Sequence, residues 1–323
     1  MEFTPPYPPT ASHLRVAAMR AFIDGEALCD AGDVKAGVAK LKTANHLSWE
    51  LDATEWPAWA HALYKQLQED APPPAPPPIL ARQPYLPMEA RVDAAVADLA
   101  SKHFCVIDNF LGAETSRRFR KSCEANWDSG ELFFPAKVAG PGGSTTGSRS
   151  YLTRSDHIAW IDLAKEDVLS LKPIVDGIDE LIRSIRPRMN PDAEVTRQRP
   201  QVARYGKGDA FARHCDNYCP LSGEGPHCNG RWLTAVYYTV EEWSEADGGC
   251  LRLFRPQGDA ANETGDVDDE AVAMEDDAIV DVPPLEDRLI LFHSDFRVPH
   301  EVRPVQSDLP RYAATVWYNS VGM

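Results

Sequence analysis

Residues 213–217 read Arg-His-Cys-Asp-Asn. In an extended chain successive side chains alternate, so His214 and Asp216 point to one face while Cys215 points away. An imidazole and a carboxylate then converge on one point. A third ligand must come from elsewhere, and His300 in Val298-Pro299-His300-Glu301-Val302 stands at the start of a late strand-like run. Two His and one carboxylate on one face of an octahedron leave three positions open, an arrangement suited to non-haem Fe(II) and O2. Those positions can accept a bidentate 2-oxo acid and then oxygen. His-x-Asp by itself is a common chance pattern; the distal His and the arginine that follows it make the set selective.

That arginine is Arg311, in Arg311-Tyr312-Ala313-Ala314-Thr315-Val316-Trp317, where alternation puts Arg311, Thr315 and Trp317 on one face. A buried guanidinium left alone costs several kcal/mol. A carboxylate ligand gripped bidentately removes that cost; a core salt bridge is the bland alternative. In Trp232-Leu233-Thr234-Ala235-Val236-Tyr237-Tyr238 the residues Thr234, Val236 and Tyr238 share a face, so the Tyr238 hydroxyl can serve the same carboxylate.

The elements that must position these groups follow from the chain's patterning. From about residue 198 the sequence is a series of short β-branched or aromatic runs (QVARY, WLTAVYYTV, CLRLF, AIVDV, RLILF, RYAATVWYN) separated by Gly, Pro and acidic turns. Upstream, 89–102 and 113–126 read as amphipathic helices flanking the strand HFCVIDNF. A third helix is predicted over 165–186 from Val168, Leu171, Val175, Ile178, Leu181, Ile182 and Ile185. Helices first and antiparallel strands after predict an α+β domain, with helices supporting a β-sandwich or barrel.

Residues 71–87, APPPAPPPILARQPYLP, mark the clearest boundary and are expected to form an extended, semi-rigid spacer between a helical region at 1–70 and a domain at 88–323. Within the first region Gly25, Gly32, Gly37 and Ala44 sit where two antiparallel helices could approach closely, loosely like one tetratricopeptide-type hairpin. A partner-binding module and a helical cap on the larger domain are both consistent with it. The Gly/Ser/Thr-rich stretch 135–150 is expected to be a mobile loop, and the acidic insert 255–281 to be largely disordered.

The formal charge of -16 argues against nucleic acid or an anionic membrane as partner, although residues 259–281 alone hold ten Asp or Glu and no Lys or Arg. No apolar run is long enough to span a bilayer, and the N-terminus lacks the pattern of a signal peptide. Seven cysteines without such a signal point to reduced thiols and a cytoplasmic or nuclear location.

Taken together, VARYGKGDAFARHCDN (202–217), GRWLTAVYYTVEEW (230–243), GGCLRLF (248–254), DRLILFHSDFRVPHEVRPV (287–305) and RYAATVWYN (311–319) resemble the prolyl hydroxylases of the hypoxia-inducible-factor type, within the 2-oxoglutarate dioxygenases. Weaker likeness runs through FCVIDNFLGAETSRRF (104–119) and RSDHIAWID (154–162), so that the resemblance covers roughly 89–321. It implies a double-stranded β-helix, a jelly-roll-like core. It implies His214, Asp216 and His300 as iron ligands, and Arg311 with Tyr238 on the distal carboxylate of 2-oxoglutarate. Tyr205, Leu251, Thr315 and Trp317 would line the co-substrate pocket, and Arg231 and Trp160 would lie near a prolyl substrate. The stretch 135–150 matches the loop that closes over the peptide. The reaction implied is 4-hydroxylation of a peptidyl proline with consumption of O2, release of succinate and CO2, and support from ascorbate, in oxygen sensing or on another protein. Phe211 stands where a tyrosine is usual, and His293 where an aromatic ring usually precedes Ser-Asp.

Three other readings stand beside it: a 2-oxoglutarate oxygenase acting on another residue type, a retired oxygenase fold used as a binding scaffold, and a zinc module of Cys215, Cys219, His227 and Cys228. The last lacks paired CxxC spacing.

Overall fold

The computed structural model describes residues 76–136, 154–165, 167–217, 228–256 and 278–321, together with scattered positions between 21 and 44. The chain divides into two compact units, Met1–Pro76 with Asp266–Asp277, and Pro77–Gly265 with Ala278–Met323.

In the first unit the described residues on either side of Asp33 are helical, and Phe22, Leu41 and Ala44 are buried. A Cβ added to Gly25 would lie 2.8 Å from the Leu41 side chain and 2.9 Å from the Gly37 carbonyl. The small residues therefore allow a close approach of the two stretches. Gly32 lies outside the described residues.

The second unit is built on two antiparallel sheets. The larger has the order β1(Phe104–Ile107), β10(Arg288–His293), β7(Arg231–Tyr238), β12(Arg311–Val321), β5(Gln201–Tyr205), β3(His157–Trp160), β2(Phe134–Pro135), with β4(Glu194–Arg197) also pairing β12. The smaller runs β6(Phe211–His214), β11(His300–Val302), β8(Leu251–Phe254), β9(Ala278–Val282). Parity along each strand decides which core a side chain enters. Ala203, Tyr205, Val236, Tyr238, Ile290, Phe292 and Ala313 meet Leu251, Leu253, Val280, Val282 and Val302 between the sheets. The intervening residues Val202, Leu233, Ala235, Tyr237, Leu289, Leu291, Tyr312, Ala314 and Val316 pack on the other face of the larger sheet, against helices. Two packed sheets with helices on one outer face match the α+β, jelly-roll-like expectation for this unit.

Those helices are α1(Met88–Ser101), α2(Ala113–Ser129) and α3(Lys172–Met189). Pro87 immediately precedes α1, and α2 ends at Gly130 in the left-handed region. The α3 stripe is as expected, with Ile174, Val175, Ile178, Leu181, Ile182 and Ile185 all buried. Each contributes about 1.5–3 kcal/mol of gross burial free energy. The helix nevertheless starts at Lys172 rather than at 165. The Asp167 carboxylate accepts the backbone N–H of Leu171 and Lys172 at 2.6 and 2.9 Å, and Val168 is left exposed in the turn before it.

The proline-rich stretch also differs from a plain spacer. From Pro78 on it is tied to the second unit: Leu80 N–H donates to the Asp281 carbonyl and Asp281 N–H to the Pro78 carbonyl, a short parallel bridge along β9. Arg288 adds bonds to the Leu80 and Ala81 carbonyls, and Asp108 accepts the Gln83 N–H. Residues 278–281 of the acidic insert belong to β9, where Asp281 pairs with Arg252 at 2.8 Å through two bonds. Residues 257–277 and most of 135–150 (137–150) lie outside the described residues. No described helix is long and apolar enough to cross a membrane.

Candidate metal centre and co-substrate pocket

His214 closes β6 and His300 opens β11, and the two are direct cross-strand partners. Pairing brings their ring centroids to 4.3 Å. Asp216 lies just past the end of β6, so it is the turn after the strand, as much as strand alternation, that aims its carboxylate. Its Oδ1 is 3.9 Å from His214 Nε2 and its Oδ2 3.9 Å from His300 Nε2. The ligand atoms of the three residues all fall within 4.8 Å of one another, a set able to hold a metal ion.

Both imidazoles are oriented from behind. His214 Nδ1–H donates to the Ala212 carbonyl at 2.8 Å and His300 Nδ1–H to the Val298 carbonyl at 2.9 Å. A carbonyl can only accept, so each ring keeps its proton on Nδ1 and turns the Nε2 lone pair inward. His214 is also stacked on Phe211, with centroids 3.7 Å apart, and the Arg154 guanidinium lies over the Phe211 ring at 4.3 Å. Burial and then the neighbouring His300 push the His214 pKa down to about 3, which keeps it a neutral ligand. Burial would raise the Asp216 pKa, but His300, His214, Arg231 and the Thr234 hydrogen bond outweigh it and hold the group below the usual carboxylate range.

Asp216 is fixed at several points. Its carbonyl accepts from Asn229 Nδ2 at 2.8 Å and Arg231 Nη1 at 3.2 Å, and its Oδ2 accepts from Thr234 Oγ1 at 2.7 Å. Thr234 Oγ1 in turn lies 2.8 Å from Ser294 Oγ.

Arg311 opens β12 opposite Tyr205. It is 3% exposed, and its Nε and Nη1 have no hydrogen-bond partner; the buried Tyr238 hydroxyl has none either. The guanidinium lies 4.8 Å from the Tyr205 ring and 4.9 Å from the Tyr238 ring. The Gly248–Gly249 pair explains how the backbone comes so close: both have positive φ, and a Cβ on Gly249 would stand 3.2 Å from Arg311 Cδ. Burial, offset in part by Arg311, pushes the Tyr238 phenol up to about 12, so it remains a donor. Leu251 follows on β8, in the core between the sheets. Thr315 lies across from Val236 on the strand pair that carries Tyr238.

Trp317, on the same face two residues on, is flanked by Arg231 at 4.0 Å and by the partly exposed Trp160 at 5.7 Å. Arg231 Nε donates to Gln198 Oε1 at 3.1 Å, which holds its guanidinium against the tryptophan.

Of the residues suggested for zinc, Cys215 is a buried thiol outside any disulfide and Cys228 is disulfide-bonded, while Cys219 and His227 lie outside the described residues. A sulfur in a disulfide has no thiolate to offer, so the zinc reading fails at Cys228, and so does the expectation of uniformly reduced thiols. Thr234 entered the sequence reading only as a neighbour of Tyr238. Ser294, Asn229 and the Arg154–Phe211 stack carried no local signal, because each matters through a partner distant in the chain.

With this geometry in view, comparison with known proteins gives the class first. Residues 200–319 match the 2OG-Fe(II) oxygenase superfamily. That superfamily uses Fe(II) with 2-oxoglutarate and O2, and the His214–Asp216–His300 set suits such an ion. The chain is 33% identical over 217 residues to prolyl hydroxylase EGLN3 of Homo sapiens, covering 67% of this chain and 77% of that protein. It is 32% identical over 221 residues to Egl nine homolog 1 of Homo sapiens, covering 68% of this chain and 44% of that one. It thus spans less than half the length of that larger relative. A solved prolyl hydroxylase from Trichoplax adhaerens, in complex with a hypoxia-inducible-factor oxygen degradation domain peptide, superposes with a TM-score of 0.57 at 26% identity, over 82% of this chain and 94% of that one. The chain belongs to the Egl nine family of prolyl hydroxylases.

Proposed function

We propose that this chain is an Fe(II)- and 2-oxoglutarate-dependent protein prolyl hydroxylase that forms 4-hydroxyproline, in oxygen sensing. One observation carries the reading. A buried guanidinium with two unpartnered nitrogens stands beside an unpartnered buried phenol and over Tyr205, and both tyrosines belong to the inter-sheet core whose Phe292 packs on His300 of the metal set. Unsatisfied buried donors are costly, and a dicarboxylate co-substrate is the ligand that would satisfy them. Family membership supports the same conclusion.

In this reading His214, Asp216 and His300 hold Fe(II), which when bound supplies the activation of O2 coupled to decarboxylation of 2-oxoglutarate to succinate and CO2. The chain's own groups do the positioning. The Nδ1–H bonds to Ala212 and Val298 keep both Nε2 atoms available. Arg311 and Tyr238 take the distal carboxylate, and Tyr205, Leu251, Thr315 and Trp317 line the co-substrate and keep water out. Arg231 and Trp160 flank Trp317 where a proline-containing peptide would enter. Ascorbate supports turnover by keeping iron reduced, and the location is cytoplasmic, nuclear or both. Residues 1–70 recruit a partner protein, and within 71–87 only the part before the anchored segment from Pro78 joins them to the catalytic domain.

The test is peptide mass spectrometry on a dialysed cell extract treated with enzyme, Fe(II), 2-oxoglutarate and ascorbate, with Asp216→Ala as control. One added oxygen on a defined proline, absent from the control, is expected. Oxygen on another residue type would replace prolyl hydroxylation with a different oxygenase reaction. Neither succinate nor added oxygen, from protein that binds iron, would leave a binding scaffold. Deleting residues 1–75, which spares the anchored segment from Pro78, should leave basal turnover intact; collapse of the remainder would make the helical region a cap.

A further inference from the structure

We propose that Thr234, backed by Ser294, is a positioning residue that occupies one oxygen of Asp216 and so makes it a one-armed metal ligand. This rests on the metal-site reading above.

The two hydroxyl side chains are fully buried, at 0% exposure each. Thr234 Oγ1 has one proton and two neighbours, Asp216 Oδ2 at 2.7 Å and Ser294 Oγ at 2.8 Å. An ionised carboxylate can only accept, so the Thr234 proton points to Asp216. Thr234 must then accept from Ser294, and the order of protons along Ser294, Thr234 and Asp216 is determined. The Ser294 backbone is held as well: its N–H donates to the Trp232 carbonyl and its carbonyl accepts the Asn217 N–H. The relay is thus attached to β7 and to the segment immediately after Asp216, and threonine's branched Cβ restricts the rotamer that delivers the proton.

Two consequences follow. A short bond to Oδ2 draws electron density from that oxygen and leaves Oδ1, the oxygen on the His214 side, as the stronger donor. It also holds the carboxylate in place before any ion arrives, so binding a metal costs less ordering. A valine has the same shape and lacks the hydroxyl, whereas a serine keeps the hydroxyl and loses the methyl group.

The experiment is Mn(II) binding by titration calorimetry to the full chain, with no turnover involved, on wild type, Thr234→Val, Thr234→Ser and Ser294→Ala, each checked for folding by circular dichroism. Thr234→Val is expected to weaken Mn(II) about tenfold or more, the usual effect of losing an outer-shell partner. Thr234→Ser should stay within about threefold of wild type, and Ser294→Ala should fall between them. Wild-type affinity in Thr234→Val overturns the proposal, and so does equal weakening in the valine and serine variants, which would mark a packing effect. If Thr234→Val fails to fold, Ser294→Ala decides: weakened binding supports the relay, and unchanged binding sinks it. Asp216→Ala separates the two levels, because Mn(II) bound to it as tightly as to wild type would overturn the metal-site reading itself.

Discussion

Arg288 and Arg311 each open a long strand of the larger sheet, and each is buried, at 0% and 3% exposure. Their surroundings are opposite. Arg288 makes paired bonds to Asp108 at 2.7 and 2.8 Å and adds the carbonyls of Pro283, Leu80 and Ala81. Arg311 has Nε and Nη1 without partners, beside a tyrosine hydroxyl in the same condition. Arg288 is a closed structural clamp that ties the proline-rich segment to the sheet. Arg311 is an open socket. Burial alone therefore says little about what a charge is for; the count of its satisfied donors separates scaffold from site.

Mutations can break or sharpen that contrast. The largest effect is expected for Asp108→Ala, which strands the Arg288 charge and should cost about 3–5 kcal/mol in denaturant unfolding. An equally stable Asp108→Ala would mean the clamp is decorative. Arg311→Ala should behave in the opposite way. No carboxylate partner is lost, so stability and metal binding should hold. Binding of 2-oxoglutarate, measured by calorimetry, should fall by about 2–5 kcal/mol, at least thirtyfold. Unfolding of this variant, or undiminished binding, would make Arg311 another structural clamp.

An intermediate effect concerns His293, held neutral between Arg297, Asp295 and His103. Burial and then the Arg297 charge push its pKa down to about 3. The unfolded chain takes up the proton near pH 6.5, so the folded state loses stability as pH falls below that value. The stability is fully present above the unfolded pKa and drains away towards the folded one. The loss should be about 2 kcal/mol between pH 7.5 and pH 5. His293→Phe should flatten the pH dependence of unfolding by that amount; an unchanged slope would show that the imidazole is not the group responsible. The smallest effect belongs to Tyr238→Phe, expected to raise KM for 2-oxoglutarate by roughly tenfold, about 1.5 kcal/mol, with kcat nearly unchanged. A large fall in kcat instead would mean that Tyr238 acts on the reacting atoms.

Much of the site was legible because strand parity is a local property. Alternation grouped Arg311, Thr315 and Trp317 on one strand and Thr234 with Tyr238 on another, and pairing of β12 with β7 puts both groups on the same face of the larger sheet. The α3 stripe was legible for the same kind of reason, a period set by the helix itself. Its start was not, because the Asp167 carboxylate caps the chain at Leu171 and Lys172 and overrides the apolar spacing. The strands β6 and β11 carry no apolar run of their own, although extended chain about His214 and a strand starting at His300 were expected from the ligand spacing. FARH and HEV are short and polar, and they are strands because they pair with each other. The proline-rich segment misled for a related reason: proline dictates extended backbone but not whether an edge strand stands ready to receive it.

By itself, then, the sequence determined which residue types were available, which faces they take, and through motif order the family to which the chain belongs. Tertiary structure decided the partners. His214 meets His300 because two strands distant in the chain pair in register, and Asp216 meets Thr234, and only through it Ser294, because a turn lays it against β7. DRLILF and PRYAAT present an arginine in the same way at the start of a strand. Nothing local says that Asp108 will answer the first while two donors of the second go unanswered. Backbone periodicity acts over a few residues, but hydrogen-bond satisfaction is settled by whatever the fold brings within three ångströms.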